Sequence, residues 1–336
     1  MTLLWALIVF SLLIVAHELG HFLVAKRAGI KVEEFAIGMG PALVQFKRGE
    51  TVYSLRALPL GGFNRMAGME GDNQDDPRGF NRKPVSVRMA VIAAGSLMNF
   101  LLAVALFIFV FMVLGIPVDK NIIGRVEAGR PAAAAGLQPG DRVISINGVP
   151  VDSWTDMVRE INRRPEETLI LEIERAGQRM ALSVQSERDP STGVGLIGIR
   201  PSWERQGFLR SLHLGFSQAV TITAAIVISI IEMITGEIAP DVVGPVGIIQ
   251  MVGEAASFGL ANVLSFTAVL SLNLGLINLL PIPALDGSRL IFLTWEGLRG
   301  RPLDPSKENI IHLIGFALLM GLLLLITYRD ILRLFG

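Results

Sequence analysis

Long apolar runs alternate with polar segments along this chain of 336 residues. Four runs are long enough to cross about 30 Å of hydrocarbon, and they cover residues 3–25, 89–114, 263–280 and 310–326. Residues 208–235 are apolar too, but polar residues such as His213 and Glu232 interrupt them, so this run either crosses or lies in the interface. The pattern predicts a polytopic α-helical membrane protein with about four transmembrane helices.

A cleaved signal peptide is the alternative interpretation of residues 3–25. The basic residues of a signal peptide precede its apolar stretch, whereas here Lys26 and Arg27 follow it. The run also contains three ionisable residues, His17, Glu18 and His21, which the apolar core of a signal peptide should not contain. We therefore expect a membrane helix.

The amino-acid composition limits the class of protein, its partners and the metal ligands it can offer. Mean hydropathy is +0.54 and only 18% of residues are charged, which is typical of a protein embedded in a lipid bilayer. The formal net charge is zero, so we expect no nucleic-acid partner. Without cysteine, a transition-metal site must use His, Asp and Glu, and there are four histidines.

Basic residues predict the orientation. They crowd the segment between the first two runs, and others lie between the last two. By the positive-inside rule both segments are cytoplasmic, and polar residues 121–205 are extracytoplasmic. The tail residues Arg329 and Arg333 oppose this assignment, because they would end outside.

The polar segment has the pattern of a small β-rich domain. We predict strands at 122–126, 142–146, 169–174 and 180–185, a turn at Asn147-Gly148 and a helix at 154–162. The chain then divides into an N-terminal membrane region (1–120), this domain (121–189), a linker with an amphipathic or membrane-associated helical segment (190–262) and a C-terminal membrane region (263–336). Residues 131–148 resemble the PDZ domain of bacterial envelope proteases, a domain that binds an extended peptide or a C-terminus.

The first run contains His17-Glu18-Leu19-Gly20-His21, an HExxH motif. On a helix, positions i and i+4 share a face, so both histidines can bind one zinc ion with Glu18 beside it as a base. In a helix of a soluble protein, two histidines with satisfied hydrogen bonds and a purely structural role would be the better explanation of this motif. Inside a membrane helix, three ionisable side chains cost several kcal/mol unless they serve a cavity, a partner or a metal.

Two histidines leave a catalytic zinc one protein ligand short. The third run ends in a segment, 278–287, with two prolines followed by a carboxylate, Asp286. Prolines disrupt a helix, and a membrane tolerates unwound backbone only where it faces protein or a wet cavity. Asp286 is therefore the candidate oxygen ligand; the alternative is an interfacial helix end with Gly287 as a turn.

These motifs together resemble the site-2 protease family, of the bacterial regulator-of-sigma-E protease type, over nearly the whole chain. The resemblance implies Zn²⁺ held by His17, His21 and Asp286, with Glu18 as the catalytic acid/base. It also implies that Asn278 helps to hold substrate near the metal and that the backbone bends at Pro281 and Pro283.

The same resemblance extends to substrate binding. The segment 60–63 resembles the family's membrane-associated β-loop, so Gly61, Gly62 and Phe63 are expected to contact an unwound substrate, although a simple turn explains these residues equally well. Gly244-Pro245-Val246-Gly247 matches a family signature. This chain has room for one PDZ domain where the best-known member has two.

Biologically, the resemblance implies regulated intramembrane proteolysis in the bacterial inner membrane. The expected substrates are single-pass membrane proteins, anti-sigma factors already trimmed by another protease above all, and remnant signal peptides. The expected active site is toward the cytoplasm and the PDZ domain is extracytoplasmic.

Two other classes stay open from the residues alone. A membrane-tethered PDZ adaptor would need no metal. A transporter also uses intramembrane carboxylates and broken helices, but it typically shows repeated halves, and the first and third runs share no motif. Neither class explains why HExxH and a downstream aspartate occur together.

Overall fold

A computed structural model describes residues 1–69, 76–239, 243–301 and 305–335, without the side chains of residues 59–60, 305–307, 309 and 334–335. The α-helices in this part of the chain are α1 (Thr2–Arg27), α2 (Val85–Phe109), α3 (Pro131–Ala134), α4 (Trp154–Asn162), α5 (Phe208–Thr235), α6 (Pro245–Ser257), α7 (Leu260–Leu279), α8 (Asp286–Arg299) and α9 (Pro305–Phe335). The longer strands are β1 (Val32–Arg48), β2 (Thr51–Met66), β4 (Ile123–Val126), β5 (Arg142–Ile146), β7 (Thr168–Arg175) and β8 (Gln178–Gln185). The short strands are β3 (Ile116–Pro117), β6 (Val149–Pro150), β9 (Glu187–Arg188), β10 (Gly195–Leu196), β11 (Ile199–Pro201) and β12 (Trp203–Glu204).

Five helical segments are long and apolar enough to cross a membrane by length and composition, among the described residues. They are Thr2–Arg27, Val85–Leu114, Phe208–Thr235, Leu260–Leu279 and Ile310–Arg333. An α-helix satisfies all its backbone hydrogen bonds internally, which the bilayer requires. The predicted count of about four transmembrane helices is not confirmed, because the segment Phe208–Thr235 is a continuous helix of spanning length.

The chain forms two compact units, Met1–Phe109 with Ser211–Gly336, and Val110–Arg210. In the first unit, α1 buries Ala6, Val9 and Leu13, spaced by three and four residues, against Val252 of α6 and Val263 of α7. A second cluster closes the other end of α1 and includes Val91 of α2 and Leu293 of α8.

Strands β1 and β2 form a bent antiparallel sheet beside α1. Residues 34–37 of β1 pair with residues 52–55 on one side and with residues 62–65 on the other. The segment 62–66 is therefore at an edge of this sheet, in the region that resembles a membrane-associated β-loop.

The second unit contains an antiparallel sheet in the order β6-β5-β7-β8. Leu169, Leu171 and Ile173 alternate inward along β7 and pack in one apolar core with Met157 of α4. The predicted strands and helix of this domain are confirmed, as is the turn at Asn147-Gly148, where both residues have positive φ.

Candidate metal centre and active site

Helix α1 places His17 and His21 on one face, with their Nε2 atoms 3.2 Å apart. The Nδ1 atom of His21 lies 2.8 Å from the carbonyl oxygen of Val91 on α2, and a carbonyl can only accept. Nδ1 therefore carries the proton, and the Nε2 lone pair of His21 points toward His17. This is the arrangement of a metal-binding histidine whose second nitrogen is fixed by a hydrogen bond.

Asp286, the first residue of α8, completes the group. Its Oδ2 atom lies 3.2 Å from Nε2 of His17 and 3.3 Å from Nε2 of His21. One ligand atom from each residue lies within 4.8 Å of the others. Oδ2 is buried and has no hydrogen-bond partner in the described part of the chain. A buried carboxylate oxygen beside two imidazole nitrogens forms a donor set that one cation can share, and two histidines with one carboxylate match the protein ligands of a catalytic zinc.

Glycines make this convergence possible. A Cβ atom on Gly95 of α2 would lie 2.3 Å from Nε2 of His21 and 2.7 Å from Cε1 of His17. A Cβ on Gly287 would lie 2.2 Å from the carbonyl oxygen of Leu280. The sequence analysis singled out Gly287 but missed Gly95, for which the sequence contains only a small residue within an apolar run.

Glu18 faces a cavity of about 310 Å³ that the three candidate ligands also line. Asn64 of β2 donates from Nδ2 to Oε2 of Glu18 at 2.6 Å and to its backbone oxygen at 2.7 Å. The amide thus fixes the carboxylate in one orientation. Sequence analysis missed Asn64 and Arg289, which also lines the cavity.

The structure brings Gly62 and Phe63 to the cavity, whereas Gly61 is not part of its lining. A Cβ on Gly62 would lie 3.0 Å from Cγ of Glu18, so the strand runs close to α1. Gly61 has a φ of 79°, which favours glycine. The side chain of Leu60 lies outside the described residues.

Two arginines lie against the ring of Phe63. The guanidinium carbons of Arg56 and Arg65 lie 4.8 and 5.7 Å from the centre of its ring. Arg56 also donates to the buried carboxylate of Glu34 at 2.6 Å, and Ser54 donates to the same oxygen. Burial raises the pKa of Glu34, but these hydrogen bonds outweigh it and hold the pKa below its usual range.

Asn278 lies near the end of α7 and lines the cavity, with its Nδ2 atom 3.5 Å from Nδ1 of His17. Asn99 of α2, fully buried, lies 3.3 Å from the same nitrogen. The helix ends at Leu279 and the backbone becomes extended at Leu280, as the prolines predict. Pro281 and Pro283 form this bend and are not among the cavity-lining residues.

Fold and site define a membrane-embedded zinc metalloprotease. The chain belongs to Peptidase family M50, whose family model matches residues 5–322. The zinc metalloprotease RasP of Geobacillus kaustophilus is 36% identical, with 98% of this chain and 97% of that protein covered. The regulator of sigma-W protease RasP of Bacillus subtilis is 34% identical, with 98% of both chains covered.

The chain is also similar to the solved PDZ domain of an SdrC-like protein from Listeria monocytogenes. The similarity covers 26% of this chain and 90% of that domain, with 20% sequence identity and a TM-score of 0.23. The family membership confirms the predicted enzyme class, its zinc cofactor and its activity, peptide-bond hydrolysis in or near transmembrane segments. With its apolar helices and bacterial relatives, the chain is a bacterial membrane protein.

Proposed function

We propose that His17, His21 and Asp286 hold the zinc ion and that Glu18 is the catalytic base. One observation carries this proposal: three ligand atoms from two distant parts of the chain lie within 4.8 Å of one another, and one of them is a buried carboxylate oxygen without a hydrogen-bond partner. The helix dipole favours a carboxylate in the first turn of α8, but it does not explain why the carboxylate lies against the two histidines of α1.

Zinc supplies Lewis acidity, which polarises a peptide carbonyl and makes water more acidic. Glu18, oriented by Asn64, takes a proton from the attacking water and delivers it to the leaving nitrogen. Asn278 reaches the cavity from the opposite helix, α7, and its amide binds the carbonyl oxygen of the substrate. Pro281 and Pro283 keep the backbone unwound, so that Asp286 reaches the histidines.

A transmembrane substrate is helical, and its peptide carbonyls are hydrogen-bonded until the helix unwinds. We assign the unwound stretch to the edge of the β1–β2 sheet at residues 61–63. The edge position of this segment and the closeness of Gly62 to Glu18 support strand addition there. The cation–π contacts of Phe63 fix the side chain at the cavity wall.

The substrates we propose are single-pass membrane proteins, in particular anti-sigma factors that another protease has trimmed, and remnant signal peptides. The name of the Bacillus subtilis relative, regulator of sigma-W protease, supports the first class. The β-rich unit, Val110–Arg210, binds a peptide or a new C-terminus as PDZ domains do.

The proposed topology follows the basic residues, with the active site toward the cytoplasm and the β-rich unit outside. A cysteine introduced at Arg163 should react with an impermeant thiol reagent in intact cells, and one introduced at Lys47 should not. The chain has no native cysteine, so labelling reports only the introduced one. The opposite labelling pattern would reverse the assigned orientation.

The test of the activity uses purified full-length protein in lipid nanodiscs with a trimmed single-pass anti-sigma factor as substrate. We expect the wild type to cleave within the transmembrane segment, and Glu18→Gln to bind zinc as the wild type does but not to cleave. Full turnover by Glu18→Gln would remove Glu18 from the mechanism. Failure to bind zinc would show that the change reaches the ligands.

A further inference from the structure

The loop between α7 and α8 carries the chain into Asp286, and its own hydrogen bonds are few. Pro281 and Pro283 have no amide hydrogen. The amides of Ile282 and Leu285 bond within the loop, to the carbonyls of Leu280 at 2.7 Å and Ile282 at 3.1 Å. The amide of Leu280 donates back to Ile277 of α7 at 3.0 Å, and the remaining amide is that of Ala284.

Ala284 is in a conformation that alanine avoids. Its φ is 76°, in the left-handed region where a Cβ atom is unfavourable. Such a residue keeps its conformation only when the surrounding structure determines it. Because Asp286 follows two residues later, any relaxation at Ala284 moves the carboxylate that faces the histidines.

The last long helix, α9, supplies the constraint. Nδ1 of His312 accepts a hydrogen bond from the amide of Ala284 at 3.1 Å. Phe292 of α8 packs edge-on against the imidazole, with the ring centres 5.7 Å apart. Because the amide of Ala284 donates to Nδ1, the neutral ring carries its proton on Nε2, which lies 3.7 Å from the carboxylate of Glu308.

Helix α9 also approaches the loop closely one turn later. A Cβ atom on Gly315 would lie 2.2 Å from Cβ of Pro283 and 2.7 Å from its carbonyl carbon. The helix therefore meets the loop at backbone distance, which keeps the backbone of His312 beside Ala284.

We propose that His312 is a positioning residue for the metal centre: its Nδ1 atom holds the amide of Ala284, fixes the left-handed turn and so aims Asp286 at His17 and His21. This inference rests on the proposed role of Asp286 as a zinc ligand. The inference gives α9 a role in orienting Asp286, which neither the HExxH motif nor the proline-rich loop indicates.

The test measures the zinc dissociation constant of full-length protein by chelator competition. His312→Leu removes the acceptor and keeps the bulk, and we expect about a 10-fold loss of zinc affinity, the effect typical of losing an outer partner of a metal ligand. His312→Asn is the matched variant, because its side-chain oxygen occupies nearly the position of Nδ1. It should restore most of the affinity, which a role in packing alone would not allow.

Ala284→Gly provides an independent arm, since glycine adopts positive φ without strain. In this background His312→Leu should cost clearly less zinc affinity than it does alone. Equal costs in both backgrounds, or His312→Asn no better than His312→Leu, would overturn the inference. If His312→Leu alone fails to fold, a loss of about 10-fold in zinc affinity in His312→Asn, or on adding His312→Leu to Ala284→Gly, overturns the inference.

Asp286→Ala separates this inference from the proposed function. If that variant keeps its zinc, the ligand assignment itself is wrong. If it loses zinc while His312→Leu binds zinc like the wild type, only the role of His312 is refuted.

Discussion

Gly95 offers the sharpest test of the metal centre, because it is neither a ligand nor a catalytic group. It lies on α2 directly against the two histidines of α1. Changing Gly95 to Ala adds one methyl group, and alanine is a better helix former than glycine by up to about 1 kcal/mol. Propensity alone thus predicts a stabilised helix, whereas the site geometry predicts a damaged centre.

The size of the effect follows from distances. The new Cβ would lie 2.3 Å from Nε2 of His21, and real Cβ contacts are at least 3.0 Å, so the imidazole or the helix must move by about 0.7 Å. Zinc–nitrogen bonds are about 2.0–2.1 Å and tolerate roughly 0.2 Å. The displacement exceeds this tolerance, and Val91 holds the other ring nitrogen in place. Disturbing the orientation of a metal-binding histidine typically costs about 10-fold to 100-fold in metal affinity, and we expect a loss of zinc affinity in that range.

The assay is zinc content and chelator competition on purified protein, with thermal unfolding of the zinc-free form as a check on folding. Gly321→Ala is the matched control, since Gly321 is also in a helix and a Cβ there meets nothing within 4 Å. The control should bind zinc like the wild type. If Gly95→Ala also binds zinc with wild-type affinity and cleaves substrate normally, the close approach of α2 to the histidines is not part of the site.

Three further changes test the neighbouring groups. Asp286→Ala should lose zinc as severely as a histidine variant, because each removes one of three protein ligands, and unchanged metal content would require another ligand. Asn64→Ala should lower kcat about 10-fold to 100-fold and leave zinc content and KM nearly unchanged, because the change frees the carboxylate of Glu18 but removes no zinc ligand. A fall in zinc content would contradict this expectation. Burial raises the pKa of Asp141, but its hydrogen bonds from Arg175 outweigh this effect and lower the pKa. The β-rich unit should therefore lose stability as the pH falls below about 4. Digestion by an acid-active protease measures this loss, and it should depend less on pH in Arg175→Leu.

The chemistry of this protein could be predicted because it depends on local spacing. Positions i and i+4 share a helix face whatever the rest of the chain does, so His17 and His21 are recognisable without a structure. The cost of ionisable groups in hydrocarbon then favoured a metal over a structural pair, and two histidines left a catalytic zinc one protein ligand short. Alternating apolar residues likewise identified the strands of the β-rich unit, because alternation reflects burial of one face.

The number of transmembrane helices was harder to predict from the sequence. The polar side chains in residues 208–235 left two interpretations open, a crossing helix and an interfacial one, and the structure has one continuous helix, Phe208–Thr235, that is long and apolar enough to cross. Hydropathy measures average polarity, and a few polar residues do not break the backbone hydrogen bonds of a helix.

The supporting residues of the site came only from the tertiary structure. Asn64, Gly95 and His312 lie 46, 74 and 28 positions from the respective partners Glu18, His21 and Ala284. No periodicity links residues so far apart, and an asparagine in a strand or a glycine in an apolar helix has many explanations. The sequence by itself determined the proposed ligands and base, because HExxH is a local spacing on one helix and Asp286 is a carboxylate that follows two prolines at the end of a later apolar run. Packing decided which groups orient them, because orientation depends on how α2, β2 and α9 meet α1 and the proline-rich loop.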